Sequence, residues 1–306
     1  MSLAGLKYFL NKPGGWFFFL QSRGLLNWMD DEAYIKRLFC YSRGYALDLE
    51  HPKTFNEKLQ WLKLHDRRPL YTKLVDKYEV KDYVAEKVGS EYVIPVIAGP
   101  WDSADEIDFD ALPEQFVLKC THDSGGVVIC RGKAALDRRA AEAKLRKAMK
   151  RNFFWPGREW PYKNVKPRIF VERYVEDESG ELRDYKIFVF HGQPFCIQVD
   201  YARFTDHHRN FYDLDWNYLP FTTEYPTDPS HVIARPACLD GMLELARRLS
   251  DESIPFLRVD LYVVGDRPLF GEFTFFHGSG LEPFMPEEWD RILGAQLRLP
   301  TDEEPA

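Results

Sequence analysis

Apolar residues recur at three- and four-residue spacing over residues 30–65, a pattern typical of amphipathic helices. The recurring positions include Tyr34, Leu38, Phe55, Leu59 and Leu62. Thr54 is followed three residues later by Glu57, which predicts a helix start with a capping box. A further helix is predicted over residues 73–87. Together these segments indicate a helical N-terminal region over residues 1–90.

The pattern changes after residue 90 to short apolar or β-branched runs that are bounded by turn residues. Strands are therefore predicted over residues 92–97, 116–120, 127–130, 168–172, 184–190, 194–200, 256–264 and 268–273. Turn residues around Gly192 and Gly265 leave connections short enough for antiparallel hairpins. Charged amphipathic helices are predicted over residues 134–151 and 239–250. This order of elements predicts an α+β fold.

Net charge, cysteine spacing and the length of the apolar runs exclude several classes of protein. The 306 residues carry a formal net charge of −7, so there is no overall positive field to hold DNA or RNA. The five cysteines are widely spaced and form no CxxC pair, which favours a reducing compartment over a metal cage. The apolar run at residues 16–20 is too short to span a bilayer. We therefore predict a cytoplasmic protein with no transmembrane segment and no nucleic-acid partner.

A predicted strand that ends on a lysine is followed by a turn of small and polar residues. Lys119 and Cys120 end the strand, and the turn contains Gly125 and Gly126. A fixed cation beside glycine N–H groups that can approach oxygen atoms closely is suited to binding phosphate. The GxxxxGKS/T pattern of a P-loop is absent, and a plain hairpin turn is the alternative interpretation. Because these residues offer few buried contacts, we expect loop 122–126 to be mobile without nucleotide.

Two pairs of polar residues occupy strands that the short turn at Gly265 makes neighbours. Arg258 and Asp260 share one strand face by alternation, as do Glu272 and Thr274 on the next strand. We therefore expect the Asp260 and Glu272 carboxylates to approach one another across the two strands. Magnesium prefers one or two carboxylates together with phosphate oxygens, so this is a candidate metal site. A surface salt bridge is the alternative.

A third group of polar residues flanks an acidic loop between two strands. Glu172, Tyr174 and Val175 lie at the end of one strand, and Asp184 and Lys186 begin the next. Asp184 and Lys186 project to the same side of their strand. One could hold a ribose hydroxyl and the other a phosphate. Ordinary polar positions of a strand are the alternative interpretation.

The succession of these groups along the chain resembles the ATP-grasp superfamily. More closely, the chain resembles the TupA-like ATP-grasp family, named for teichuronopeptide biosynthesis, in residues 53–61 (KTFNEKLQW), 76–78 (DKY), 113–119, 184–186 (DYK) and 271–274 (GEFT). The likeness extends over residues 30–290. It implies an ATP-grasp fold with a helical N-terminal region (1–90), a small β-hairpin and helix lid subdomain (91–168) and an antiparallel-sheet C-terminal subdomain (169–300).

The resemblance also implies roles for individual residues. The residues that would bind ATP are Lys77, Lys119, His122, Ser124, Gly125, Gly126, Glu172, Tyr174, Val175 and Asp184. Within this set the lysines would contact the phosphates, and the glycine loop would close over them as a lid. The strand-end residues would meet the adenine, and Asp184 the ribose. Magnesium would be held by Asp260, Glu272 and Thr274, while the catalytic residues would be Arg258 and Lys186.

The reaction implied by the resemblance is the ligation of a carboxylate to an amine. ATP would phosphorylate the carboxylate and leave as ADP. An amine or amino acid would then attack the acyl phosphate and form an amide. By resemblance, the carboxylate belongs to a uronic acid of a cell-surface polysaccharide such as a capsule, or to a precursor of one.

Two other functions stay open from the sequence. Asp213 and Asp215 form a DxD pattern, which a glycosyltransferase of polysaccharide biosynthesis would use to bind a nucleotide sugar. A non-catalytic nucleotide-binding protein is the other alternative. It is permitted because Thr274 stands where ATP-grasp ligases commonly have Asn. In addition, Asp123 adds a negative charge beside the phosphate loop.

Overall fold

The computed structural model describes residues 14–177, 182–202 and 205–300. Within these residues the helices are α1 (Gly15–Ser22), α2 (Asp31–Arg43), α3 (Phe55–His65), α4 (Pro69–Val75), α5 (Val80–Val88), α6 (Arg138–Met149), α7 (Phe154–Gly157), α8 (Leu239–Leu249) and α9 (Glu288–Gln296). The strands are β1 (Val96–Trp101), β2 (Phe116–Cys120), β3 (Val127–Cys130), β4 (Ile169–Arg173), β5 (Asp184–Phe190), β6 (Gln193–Tyr201), β7 (His208–Tyr212), β8 (Tyr218–Leu219), β9 (Phe256–Val264) and β10 (Arg267–Thr274). None of the described helices is long and apolar enough to cross a membrane.

The strands form two antiparallel sheets. A small sheet has the strand order β1-β4-β2-β3, and a large sheet has the order β10-β9-β5-β6-β7-β8. All the strand pairs in both sheets are antiparallel. The combination of helices with antiparallel sheets confirms the predicted α+β class.

Strand β4 lies in the small sheet, between β1 and β2. The predicted division after residue 168 assigned this strand to the C-terminal subdomain. Its backbone pairing instead places it at the centre of the small sheet, where Val171 is opposite Leu118 of β2. The local pattern of a strand does not encode which neighbour it pairs with, so the sequence could not reveal this. The domain ranges themselves stay a prediction.

Helix α3 begins at the predicted capping box and packs on the large sheet. Thr54 Oγ1 accepts a hydrogen bond from the Glu57 backbone N–H at 3.2 Å, and Glu57 Oε2 accepts from the Thr54 N–H at 2.9 Å. The buried Phe55 ring meets Phe190 and Phe256 at centroid distances of 5.8 and 4.8 Å. Such aromatic pairs contribute about 0.5–1.5 kcal/mol each beyond the area they bury, so they attach the helical layer to the sheet.

The single helix predicted over residues 73–87 is wrong, because α4 and α5 are separate helices. Asp76 lies at the break. Its Oδ1 accepts from two backbone N–H groups of the following turn, at 2.8 and 3.0 Å, and its Oδ2 accepts from Arg168 at 3.0 Å. These bonds compensate for the lost helical ones. The segment contains neither Gly nor Pro, so its sequence has no local signal for the break. Lys77 lies outside both helices as a result.

Other predicted boundaries shift for identifiable reasons. Residues 90–92 form a 3₁₀ turn, so the first strand begins at Val96 rather than at residue 92. Asp137 accepts from the backbone N–H of Ala140 at 2.9 Å and starts α6 at Arg138, later than predicted. Strand β7 was not predicted because it begins with three polar residues, and β8 was not predicted because it has only two residues.

Arg158 fixes the segment between α6 and β4 to the N-terminal helices. Its side chain is fully buried, and the guanidinium carbon lies 4.2 Å from the ring centroid of Tyr34 and 4.8 Å from that of Trp155. Its Nη2 donates to the Leu26 carbonyl at 3.1 Å, and its Nε lies 3.4 Å from Asp31 Oδ1. A buried guanidinium needs such partners, because an unpaired buried charge is costly. The segment is therefore held firmly in place.

Candidate active site

Glu172 of β4 is buried between two lysines. Lys119 Nζ of β2 lies 2.5 Å from one of its carboxylate oxygens, and Lys81 Nζ of α5 lies 2.5 Å from the other. Lys81 also donates to the Ile94 carbonyl at 2.8 Å. Burial raises the pKa of Glu172, but the two lysines outweigh it and lower the pKa overall. The carboxylate is therefore ionised and holds Lys119 in place.

This contact joins two residues to which the family resemblance assigns different parts of ATP. Lys119 would bind phosphate and Glu172 would meet adenine, yet their charged groups are in contact. Sequence reasoning missed Lys81 because it resembles any surface lysine of an amphipathic helix. Tyr174 and Val175 follow β4 directly and are half-buried.

The loop after β2 is more firmly anchored than its composition predicts. His122 and Asp123 are buried, and His122 Nε2 lies 3.2 Å from a backbone carbonyl of α6. Asp123 Oδ1 accepts from the Gly126 N–H at 3.2 Å. The expectation of few buried contacts is therefore wrong for His122 and Asp123. Exposure within the loop is confined to Ser124 and Gly125.

Gly126 is required by the close approach of its neighbours. A Cβ at this position would lie 2.5 Å from Asp123 Oδ1 and 2.9 Å from Cys120 Cβ. Asp123 Oδ2 has no hydrogen-bond partner within the described part of the chain. Asp123 therefore supports the turn through Oδ1, while its Oδ2 is buried without a hydrogen bond.

Lys77 connects the break between α4 and α5 to the large sheet. Its Nζ forms an ion pair with Glu272 Oε2 of β10, and its backbone N–H donates to the Thr121 carbonyl at 3.0 Å. Burial lowers the pKa of Lys77, but Glu272 outweighs it and raises the pKa overall. Partial burial raises the pKa of Glu272, but Lys77 outweighs it and lowers the pKa to about 2. Both groups are therefore charged at neutral pH.

The residues of the candidate metal site occupy facing positions of β9 and β10. Asp260 is opposite Glu272, and Arg258 is opposite Thr274. Arg258 Nε and Nη2 each donate to one carboxylate oxygen of Asp260 at 2.7 Å, and Nη2 also donates to Thr274 Oγ1 at 3.0 Å. The hairpin at Gly265 alone would set Asp260 opposite Gly271, and a register shift between Phe270 and Glu272 is what brings Glu272 opposite Asp260. That the two carboxylates approach one another stays a prediction.

Asp260 accepts one hydrogen bond at each carboxylate oxygen and Glu272 is paired through Oε2, so both carboxylates keep lone pairs for a magnesium ion. Burial raises the pKa of Asp260 to about 6, Arg258 opposes this rise, and Glu272 adds to it. A divalent cation would offset the repulsion between the two carboxylates, and hard oxygen ligands are what magnesium prefers. No group of three or more metal-binding His, Cys, Asp or Glu side chains gathers anywhere in the described residues. Phosphate oxygens would therefore have to supply most of the remaining ligands.

Lys186 lies near the centre of the large sheet, opposite Asp260. Its Nζ forms an ion pair with Asp200 Oδ2 and lies 3.6 Å from Asp184 Oδ2. Asp200 also accepts from Arg209 Nε at 2.8 Å. Burial raises the pKa of Asp200, but Lys186 and Arg209 outweigh it and lower the pKa overall. Sequence reasoning brought Lys186 and Asp184 together correctly but missed Asp200 and Arg209.

A line of buried polar groups continues from Arg209 to Arg258. Arg209 Nη1 lies 3.1 Å from Glu282 Oε2, which lies 3.1 Å from His277 Nε2. His277 Nδ1 lies 2.9 Å from Arg258 Nη1. A guanidinium can only donate, so we assign a neutral imidazole that accepts at Nδ1 and carries its proton on Nε2. Burial lowers the pKa of His277, which agrees with this assignment. The line of contacts orients Arg258.

A cavity of about 570 Å³ opens beside these groups. The predicted site residues that line it are Lys77, Ser124, Arg258, Glu272 and Thr274. Its other walls come from the segment 153–162, the loop 276–283, Ser42 of α2 and Glu224. Lys119, Glu172 and Lys186 are not among its lining residues. The cavity therefore joins the candidate metal site to a region that the sequence did not predict.

The DxD pattern belongs to a turn between β7 and β8. Asp213 Oδ1 accepts from the backbone N–H groups of Asp215 at 3.0 Å and of Asn217 at 2.7 Å. Asp213 Oδ2 accepts from Asn217 Nδ2 at 2.9 Å. Because both oxygens of Asp213 are used in the turn, the pattern no longer supports a nucleotide-sugar site.

The chain matches the TupA-like ATP-grasp family over residues 57–298. The protein belongs to this family, and the resemblance noted in its sequence is confirmed. Among curated proteins there is no significant match.

Several solved structures are similar to this chain. D-alanine–D-alanine ligase from Bacillus anthracis, complexed with ATP, is 16% identical with a TM-score of 0.38, over 66% of this chain and 54% of that chain. The corresponding ligase from Helicobacter pylori is 12% identical with a TM-score of 0.44, over 81% and 70%. N5-carboxyaminoimidazole synthetase from Staphylococcus aureus is 14% identical with a TM-score of 0.40, over 74% and 53%. The chain thus spans just over half the length of the first and third.

Proposed function

We propose that the protein is an ATP- and magnesium-dependent ligase that joins a carboxylate to an amine and releases ADP. The observation that supports this best is the backbone pairing of Asp260 with Glu272 and of Arg258 with Thr274. Of these residues, Arg258, Glu272 and Thr274 line the cavity, as does Lys77, which is paired with Glu272. A guanidinium, an ammonium and two carboxylates thereby surround one region. Membership of an ATP-grasp family makes ATP the proposed phosphate donor.

The proposed reaction has two steps. A carboxylate oxygen of the substrate attacks the γ-phosphorus of ATP, and the bond to the departing ADP breaks, which forms an acyl phosphate. The amine nitrogen then attacks the carbonyl carbon, a C–N bond forms, and phosphate leaves. No protein nucleophile is needed. Arg258 and Lys77 would offset the negative charge of the transferred group, so catalysis would rest on positioning and electrostatics.

The nucleotide would lie between the small sheet and the large sheet and would contact residues of both. Lys119 would contact a phosphate, and Glu172 would keep that lysine oriented through their ion pair. Ser124 and the backbone of the glycine loop at residues 125–126 would contact phosphate oxygens from the other side. The adenine would meet Tyr174 and Val175, and the ribose would bind Asp184. His122 would support this loop through its contact with α6.

Magnesium would be held by Asp260 and Glu272 together with phosphate oxygens, and the Thr274 hydroxyl would be a weaker ligand. When bound, it neutralises charge on the transferred phosphoryl group. Lys186, opposite Asp260, would keep this carboxylate ionised and oriented. Its charge and that of Arg258 would together favour the anionic acyl phosphate.

For the carboxylate we propose a uronic acid in a cell-surface polysaccharide such as a capsule, or in its precursor, modified in the cytoplasm. The proposal rests on the family, whose name refers to teichuronopeptide synthesis. The aromatic side chain of Phe276 on the cavity wall supports it, because aromatic rings commonly stack on sugar faces. The second substrate would be an amino acid or another amine.

Incubation with ATP, Mg²⁺, pooled uronic acids and pooled amino acids tests the proposal. We expect ADP and phosphate, and we expect hydroxylamine in place of the amino acids to trap the acyl phosphate as a hydroxamate. Arg258→Lys keeps the charge but loses the paired contact with Asp260, so it should form hydroxamate much more slowly. AMP and pyrophosphate would instead indicate adenylation. ATP binding without any turnover would contradict the ligase and favour a non-catalytic nucleotide-binding protein.

A further inference from the structure

The cavity lining carries more carboxylates than cations. Its cationic residues are Lys77 and Arg258, whereas four glutamates line it, of which Glu272 is paired with Lys77. Glu282 is committed to Arg209 and faces His277, each at 3.1 Å. Within the described residues, neither Glu159 nor Glu224 has an ion-pair partner. Two carboxylates are therefore left for a ligand with positive charge.

Glu159 is the more enclosed of these two carboxylates. It is 7% exposed, yet it lines the cavity. A Cβ on Gly157 would lie 3.1 Å from Glu159 Oε1, so glycine at that position leaves the carboxylate room. Burial raises the pKa of Glu159, although Lys63 and Ser279 act against the rise. A buried carboxylate that lines a cavity is placed to accept a proton from a bound ligand.

Lys63 lies near Glu159, but its ammonium group does not donate a hydrogen bond to the Glu159 carboxylate. It is fully buried, and its Nζ donates to Gln60 Oε1 at 3.0 Å, to the Ser279 carbonyl at 2.8 Å and to Ser279 Oγ at 3.0 Å. All three of its donors are thus used, although burial lowers its pKa to about 8. Lys63 therefore keeps Ser279 in place and leaves the Glu159 carboxylate available to the cavity.

We propose that Glu159 and Glu224 bind the acceptor amine in its ammonium form and that Glu159 accepts its proton. This inference rests on the proposed function and identifies the subsite of the second substrate. The two carboxylates repel a uronate, which would instead bind near Arg258. The rings of Phe153 and Tyr162, whose centroids are 4.9 Å apart, offer an apolar wall to the carbon chain of the amine.

The proton balance of the second step follows from this arrangement. The ammonium gives one proton to the Glu159 carboxylate and becomes a neutral nucleophile. Its nitrogen attacks the carbonyl carbon of the acyl phosphate, and the C–O bond to phosphate breaks. The second proton of the nitrogen leaves with the phosphate. Glu159 returns its proton to water when the amide product departs.

The test compares two acceptors that differ in charge, with the uronic acid pool and ATP in common. Hydroxylamine is mostly neutral at pH 7.5, whereas L-lysine presents ammonium groups. Glu159→Gln should lower kcat/KM for lysine about a hundredfold, the usual contribution of a positioned base, while hydroxamate formation falls by no more than about twofold. Glu224→Gln, at an exposed position, should raise KM for lysine about threefold. Glu244→Gln on the outer face of α8 is the matched control and should change neither.

The outcomes separate this inference from the function on which it rests. Absence of hydroxamate with the wild-type protein would overturn the proposed function and this subsite with it. Hydroxamate with the wild type, but equal losses with both acceptors in Glu159→Gln, would overturn only the subsite. If thermal melting shows that Glu159→Gln does not fold, Glu224→Gln decides: an unchanged KM for lysine overturns the proposal.

Discussion

Lys81 and Lys119 contact the same buried carboxylate, which allows a matched pair of substitutions. Lys119→Met and Lys81→Met each remove one of the two 2.5 Å ion pairs to Glu172. Methionine keeps a long, flexible apolar stem in both cases. Only Lys119 is proposed to contact ATP. Both variants should therefore lose stability, while only Lys119→Met should lose nucleotide affinity.

The magnitudes follow from the contacts. Removing the sole partner of a buried charge costs about 3–5 kcal/mol, and one lysine remains here, so we expect about half, roughly 1.5–2.5 kcal/mol. Lys81→Met also loses the bond to the Ile94 carbonyl, which adds about 1 kcal/mol. Loss of a charge-assisted bond to phosphate costs about 1.5–3 kcal/mol, so Lys119→Met should bind ATP roughly ten- to 150-fold more weakly.

Two measurements check this prediction. Urea denaturation gives the free energy of unfolding, and calorimetric titration with ATP and Mg²⁺ gives the dissociation constant at a temperature where both variants are folded. Equal losses of ATP affinity in the two variants would refute the reasoning, because the effect would then come through Glu172. Unchanged affinity in Lys119→Met would show that Lys119 is only a structural partner of Glu172.

Two further predictions concern the carboxylates of the candidate metal site. Glu272→Gln is nearly isosteric but removes the charge partner of Lys77, so the melting temperature should fall, and ADP release, measured where the variant is folded, should fall about a hundredfold or more. The folded-state pKa of Asp260, about 6, lies above its unfolded value of about 3.9, so the native state binds more protons between these values. Stability should therefore decrease as pH rises through this window. In urea denaturation, Asp260→Asn should remove this dependence of the free energy of unfolding on pH. ADP release by the wild type should rise through about pH 6, because the ionised form of Asp260 binds metal.

The strands that carry the candidate metal site were predictable because their signals are local. Predicted strands 184–190 and 256–264 coincide with β5 and β9. Both were predictable because each apolar run is bounded directly by turn residues. The short turn at Gly265 makes β9 and β10 neighbours, but Asp260 faces Glu272 only because of the register shift between Phe270 and Glu272, which strand alternation did not predict. Relations that depend on a single hairpin need no knowledge of the rest of the fold.

Contacts between segments that are distant in the sequence could not be predicted from the sequence pattern. Strand β4 enters the small sheet between two strands that precede it, and periodicity does not encode that order. The partnership of Lys81 with Glu172 follows from this strand order. Glu159 was missed because its burial depends on how Arg158 fixes the surrounding segment. His277 was missed for a similar reason, since its contact with Arg258 links a loop to a strand interior.

The anchoring of Arg158 on the N-terminal helices affects how the family could diversify. The family match begins at residue 57, whereas Tyr34 and Leu26, which hold Arg158, and Ser42, which lines the cavity, all precede it. The phosphate-transfer residues all lie within the matched range. A relative with different N-terminal helices would thus present a different acceptor wall to the same transfer centre. Changes in the N-terminal helices would therefore alter the proposed acceptor wall without replacing the proposed phosphate-transfer residues.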